Sequence, residues 1–228
     1  FLNFWSLNLN TKFDLSTLDD RLTRGGPLMR TAFSWGQEYR LNSASGARTG
    51  WRAGFNWTRD ALGAWRNATS GGITLRPAPR WQLSLDPSYV VSTDARQYVT
   101  SLTDVVATGT YGARYLFAYV DRVTTSLRTR LNYAFSPSLT LEGYAEPFAA
   151  SGRYHGIGEL RAPRTNAIRT YGGEGTRVAR AADGSYAITA GDSTFVIGNR
   201  DFNVLSFRSN VVLRWEWDEA LDDTDRTA

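Results

Sequence analysis

TSLRTRLNYAFSPSLTLEGYAEPF, residues 125–148, alternates in character at every step. Leu127, Thr129, Leu131, Tyr133 and Phe135 interleave with Arg128, Arg130, Asn132 and Ala134. A period of two puts the apolar side chains on one face of a strand and the charged ones on the other. Ser136-Pro137-Ser138 interrupts the pattern with turn chemistry, since proline presets φ and serine bonds its own backbone. Leu139, Leu141 and Gly143 then alternate with Thr140, Glu142 and Tyr144. Two amphipathic strands about a tight turn predict a β-hairpin. Its polar face carries Arg128 and Arg130 on one strand against Glu142 and Glu146 on the other.

The same unit recurs outward from this hairpin. Phe33–Leu41 and Trp51–Trp57 predict a second hairpin, with a small-residue turn at 43–49. Phe1–Asn10, Ile73–Arg76, Trp81–Leu85, Tyr111–Tyr119 and Val204–Trp217 alternate in the same way. Residues 14–30, 59–72 and 149–201 read as connections, the last with an excursion over 185–197 that turns at Gly191-Asp192. The alternation is weak from Thr93 to Thr108. About ten strands joined in this way predict an all-β fold, as a sandwich, a barrel or an extended antiparallel sheet.

Composition narrows the classes. The chain has 228 residues, no cysteine and 8 tryptophans, so disulfides and thiolate metal sites are excluded. Its net charge of +4 is spread along strands and loops and carried almost wholly by arginine, Lys12 being the only lysine. That spacing argues against nucleic acid, which selects clustered charge. The chain starts at Phe1 with Met29 as its only methionine, which predicts a piece of a longer product. No apolar run is long enough for a membrane helix, but barrel strands are half polar and escape that test. Strands near the membrane-crossing length, Trp and Tyr toward strand ends, and short turns contrasted with long polar connections favour an antiparallel up-and-down outer-membrane-type barrel.

Catalytic chemistry finds no foothold. His155 is the only histidine, and its proximity to Ser151 is in sequence alone, so a solvated loop histidine is expected. Glu142 and Glu146 would stand roughly 13 Å apart on one strand, too far for a glycosidase pair. Asp222, Asp223 and Asp225 lack the glycine and distal glutamate of a calcium loop. Gly172-Gly173-Glu174-Gly175 lacks a phosphate cradle's strand–helix setting. No enzyme, metal or cofactor is expected. The candidate site is instead the charged face, with Arg40, Arg52, Arg114, Arg128, Arg130, Glu142, Glu146 and Arg214 as candidate lumen-lining residues. These either pair with Glu38, Glu142, Glu146 and Glu216 as structural ion pairs or select anionic or sugar-like solutes.

Asp20-Arg-Leu-Thr-Arg-Gly-Gly-Pro27, Arg130-Leu-Asn-Tyr-Ala-Phe-Ser-Pro137 with Tyr144-Ala-Glu-Pro-Phe148 and Ser151-Gly152, and Phe207-Arg-Ser-Asn-Val-Val-Leu-Arg-Trp-Glu-Trp217 together resemble a bacterial family of outer-membrane proteins of uncharacterised function. The segments span most of residues 1–217 and contain no catalytic motif. The resemblance implies an outer-membrane β-barrel over 1–217, embedded in outer-membrane lipid of a Gram-negative bacterium. It implies a channel, transport or anchoring role tied to oligosaccharide binding or uptake. An N-terminal module similar to family 9 carbohydrate-binding modules is expected in the longer protein. A soluble carbohydrate-binding sandwich and part of a glycoside hydrolase are the alternatives. Family members continue past Trp-Glu-Trp with a turn and a closing strand, whereas here residues 218–228, DEALDDTDRTA, form an acidic tail that cannot pair as one. An open sheet edge at Val204–Trp217 is therefore expected.

Overall fold

The computed structural model describes residues 4–44 and 48–217; the acidic tail lies outside the described residues. Its strands are β1 (Ser6–Asp14), β2 (Leu18–Asp19), β3 (Met29–Arg30), β4 (Ser34–Asn42), β5 (Thr49–Asp60), β6 (Trp65–Ala78), β7 (Trp81–Thr103), β8 (Ala113–Ser136), β9 (Leu139–Leu160), β10 (Ile168–Thr170), β11 (Thr176–Arg180), β12 (Tyr186–Ala190), β13 (Ser193–Ile197) and β14 (Phe202–Trp215). They pair antiparallel in three sheets. The main sheet is nine-stranded and runs β1-β4-β5-β6-β7-β8-β9 before β9 divides its length between β10 and β14. β11–β13 form a second sheet, and β2 with β3 a third.

The all-β antiparallel class is as expected, with two departures in the strands. Residues 59–72 are not a loop. Asp60 accepts hydrogen bonds from the amides of Leu62 and Ala64, closing a short turn, and β6 starts at Trp65 between ladders to β5 and β7. Asn67, Ser70, Gly71 and Gly72 read as turn residues, yet they occupy a central strand. Residues 149–201 are likewise not one connection. β9 continues through Ala149-Ala150-Ser151-Gly152 to Leu160, because small residues there admit the ring of Phe202, which lies where a Cβ on Gly152 would go. The 185–197 excursion is the β12–β13 hairpin. β7 runs unbroken through the weakly patterned 93–103 stretch.

The two ends of the sheet differ. At one end the connections are residues 43–48, 79–80 and 137–138. At the other they are 15–33, 61–64, 104–112 and 161–201. The turns at the short end also step down the sheet. Asn42 stands level with Arg52, Gly72, Asp86 and Arg128 in the ladder register, while β8 runs on to Ser136. Such stagger is what tilted barrel strands require. Nevertheless, among the described residues β1 pairs only with β4, and β14 only with β9. Among the described residues the sheet therefore does not close, and β14 has a ladder on one side alone, as the open-edge expectation requires.

Register sorts the side chains by parity. Leu9, Tyr39, Phe55, Thr69, Tyr89, Thr125 and Ala149 share one row, and Arg52, Gly72, Asp86, Arg128, Glu146 and Arg208 share a row on the opposite face. Below the bulges in β7 and β9, odd-numbered residues therefore form one face and even-numbered residues the other. Trp35, Phe55, Leu131, Tyr133 and Leu213 fall on the odd face. Arg40, Arg52, Arg128, Arg130, Glu142 and Arg214 fall on the even face.

Apolar burial is concentrated at the long-connection end. There Phe117 packs with Met29 and Leu160 under the 15–33 connection. On the opposite side of β8, Leu116 and Ala118 pack with Ile157, Tyr171, Ile188, Ala190 and Ile197, which docks the β11–β13 sheet over the even face. Among the described residues no comparable cluster covers either face at the level of the short turns.

Candidate functional site

The even face carries its charge in ladders. Arg52 Nη2 lies 2.5 Å from Asp86 Oδ1, reaching across β6 at Gly72. Arg128 faces Asp86 on one neighbour strand and lies 3.8 Å from Glu146 on the other. Glu146 also accepts the hydroxyl of Tyr144 and stands opposite Arg208. One level thus reads Arg52, Gly72, Asp86, Arg128, Glu146, Arg208 across six strands, its charges alternating in sign. Cross-strand neighbours of opposite charge support pairing of this kind. Arg40 pairs with Glu38 two residues along its own strand, and Arg122 with Asp94 at 3.2 Å. Arg130 lies over the ring of Tyr144, 5.9 Å from its centroid.

Arg114 belongs to a different setting. It is 7% exposed, with Nε 2.6 Å from Asp104 Oδ2 and Nη1 2.7 Å from Glu159 Oε2. The Tyr171 hydroxyl donates to the same Glu159 oxygen at 3.0 Å, and Ser193 Oγ donates to Asp104 at 3.1 Å. Arg114 therefore ties the 104–112 connection, β9 and the β12–β13 hairpin together. The Arg114 hydrogen bond, followed by the Val106 amide, holds the Asp104 carboxyl below the usual carboxylate range. Burial pushes the Tyr171 hydroxyl up, and the Glu159 charge adds to it.

Glu142 and Arg214 have no ion pair among the described residues. Glu142 stands between Asn132 and Val212, and Arg214 opposite Thr140. Both line a cleft of about 590 Å³ at the short-turn end with Arg48, Arg76 and Arg80. Alternation could not reveal those three, because Arg48 and Arg80 sit beside turns and Arg76 at a bulge in β6. Asp86, Asp104 and Glu159 are partners that alternation does not announce, while Glu216 pairs with none of these arginines among the described residues.

His155 lies in β9 rather than in a loop. Its Nε2 is 3.1 Å from Asp121 Oδ2 and its ring stacks on Tyr119. Ser151 is four positions along the same strand, roughly 13 Å away, so the two form no nucleophile pair. Glu142 and Glu146 have the same spacing and leave no glycosidase geometry. Among the described residues no group of three His, Asp or Glu gathers in a metal-holding arrangement. No protein-family model, curated protein or solved structure matches the chain.

Proposed function

We propose that this chain forms wall of an outer-membrane-type β-barrel, with the odd face against lipid and the even face against water. The observation that carries this is the exposure of the odd face. Leu9, Phe13, Phe55, Ile73, Leu205, Phe207, Val211 and Leu213 are all exposed there. Each such side chain left in water rather than apolar surroundings forfeits about 1.5–3 kcal/mol. An apolar face of that extent marks a membrane or protein partner. A sandwich would need a second sheet on the odd face, whereas β11–β13 docks on the even one.

Aromatic side chains support the same orientation. Trp5 and Trp51 meet edge-to-face at 4.8 Å toward the short-turn end, and Trp35 and Trp57 at 4.5 Å toward the other. Trp5 and Phe13 are roughly 26 Å apart along the strand, close to the ~25 Å apolar band of such barrels. The short turns then face the periplasm and the long connections the exterior. The free edges of β1 and β14 need partner strands, since unpaired backbone is not tolerated in lipid. With the resemblance to the carbohydrate-linked outer-membrane family, the role is solute passage or surface anchoring coupled to carbohydrate.

Partitioning tests the proposal. The full chain refolded with lipid vesicles should co-float with them and resist carbonate extraction, its odd-face tryptophans quenched by brominated acyl chains. A chain that stays monomeric in buffer and ignores vesicles would refute the membrane reading.

A further inference from the structure

The cationic side chains of the even face divide three ways. Arg40, Arg52, Arg122 and Arg128 each have a carboxylate partner. Arg66, Arg130 and Arg208 have no ion pair among the described residues but lie away from the cleft, Arg66 donating to Asn56 and Arg130 lying over Tyr144. Arg48, Arg76, Arg80 and Arg214 have none among the described residues, and all four line the cleft at the short-turn end, where Glu142 is the only acid among the described residues. We propose that this cleft binds an acidic saccharide, with the arginines taking its carboxylates. The proposal names a solute class for the even face. It rests on the wall reading only for the side from which the solute arrives.

The cleft has a fixed frame. The Arg76 amide donates to the Arg48 carbonyl at 2.6 Å, and the Ala134 amide to the Arg80 carbonyl at 2.7 Å, so both turns are tied to the sheet. The register of β6 against β7 shifts between Leu75 and Ala78, and a bulge of this kind re-aims the side chains it carries. Arg76 Nε donates to Gln82 Oε1 at 2.8 Å, which orients the guanidinium while its Nη groups keep no partner among the described residues. Guanidinium forks of this type fit carboxylates two bonds at a time.

The floor suits hydroxyls. Gln82 stands opposite Asn132, and Asn132 opposite Glu142, so two amides and a carboxylate follow one another across three strands. Trp81 and Tyr133 pair beside this row with their side chains on the odd face, so they bound the cleft without facing its polar floor. A cleft of about 590 Å³ lies within the roughly 300–1,000 Å³ range of small-molecule sites. A simple inorganic anion would use the arginines and leave the amides idle. An acidic saccharide uses both.

Calorimetric titration of the full chain in neutral detergent provides the test, with trigalacturonate as the acidic probe and maltotriose as the neutral one. Saturable binding of trigalacturonate alone is expected, weakening as salt rises. Arg76→Gln with Arg214→Gln should lower its affinity by about tenfold or more, two charge-assisted contacts being lost. The corresponding Lys pair should retain part of it, and Arg177→Gln on β11 should retain all of it. Equal binding of maltotriose, no binding of either, full retention by the Gln pair, or binding only to vesicles containing phosphatidylglycerol would each overturn the proposal. A chain that binds trigalacturonate but ignores lipid would refute the wall reading alone. One that inserts but does not bind would refute this inference alone.

Discussion

Arg52 and Asp86 are bonded at 2.5 Å although a whole strand, β6, runs between theirs. The intervening residue is Gly72. A Cβ there would sit 2.6 Å from Arg52 Nε and 2.8 Å from Asp86 Oδ1, so the bridge exists because that side chain is missing. Gly72→Ala should push the guanidinium aside and cost about 1 kcal/mol, the scale of a solvent-accessible ion pair. In a double-mutant cycle with Asp86→Asn, monitored by urea unfolding in detergent, the two changes should be markedly non-additive. Additive costs would mean that the bridge contributes nothing.

The two faces make opposite demands on neighbouring residues. Leu127 lies on the odd face and Ser126 on the even face of β8. Leu127→Arg should cost about 2–4 kcal/mol of membrane-inserted stability, the penalty for a midplane charge on a lipid-facing barrel position. Ser126→Arg should cost little. Unfolding from vesicles by guanidinium, measured for both variants, checks the pair, and equal costs would contradict the lipid assignment of the odd face.

Arg114 should be far more sensitive than any other arginine of the sheet. Its two carboxylates are themselves largely buried, and removing one partner of a buried pair costs about 3–5 kcal/mol. Arg114→Ala should therefore expose the β11–β13 sheet to limited proteolysis between residues 172 and 198 while leaving the β4–β5 hairpin protected. Uniform loss of protection would show that the two regions unfold together.

The same region should respond to pH at both extremes. The Asp104 and Asp183 carboxyls are held below the ordinary 3.8, by Arg114 and by Ser185 respectively. A depressed folded pKa gives stability that is present above the unfolded value and lost as pH falls through and below about 4. The Tyr171 hydroxyl is raised above 10.0, by burial first. Above about pH 10 the unfolded chain therefore releases that proton first, and stability falls again. The protection factor of the Ile188 amide, its exchange rate taken relative to the unstructured rate at each pH, should be high and level between these limits and fall on either side.

Alternation made the hairpins legible, since Leu127–Phe135 and Trp51–Trp57 leave no ambiguity about their faces. It failed where partners, not neighbours, determine the residue. Gly72 and Gly152 look like turn residues in sequence, yet one yields space to Arg52 and the other to Phe202. Nothing nearby in sequence announces either long-range contact. The charged face was legible as a face, but not its division into paired and unpaired arginines. Asp86 and Arg52 are 34 positions apart, and Arg48, Arg76 and Arg80 meet only once the turns are formed.

The parity of the sheet also constrains how such a chain can change length. Up to Asp94, β7 holds one register against β8; beyond it the register shifts twice before Thr103, and β9 shifts once past His155. Between those points and the short-turn irregularities at Leu75–Ala78 and Ala134–Ser136, a single inserted residue would swap lipid-side and water-side groups, so only paired insertions or deletions preserve the faces. Above them the irregularities absorb odd counts. Related chains should therefore drift freely in length at the long-connection end and, at the level of the charged row, change only by even steps.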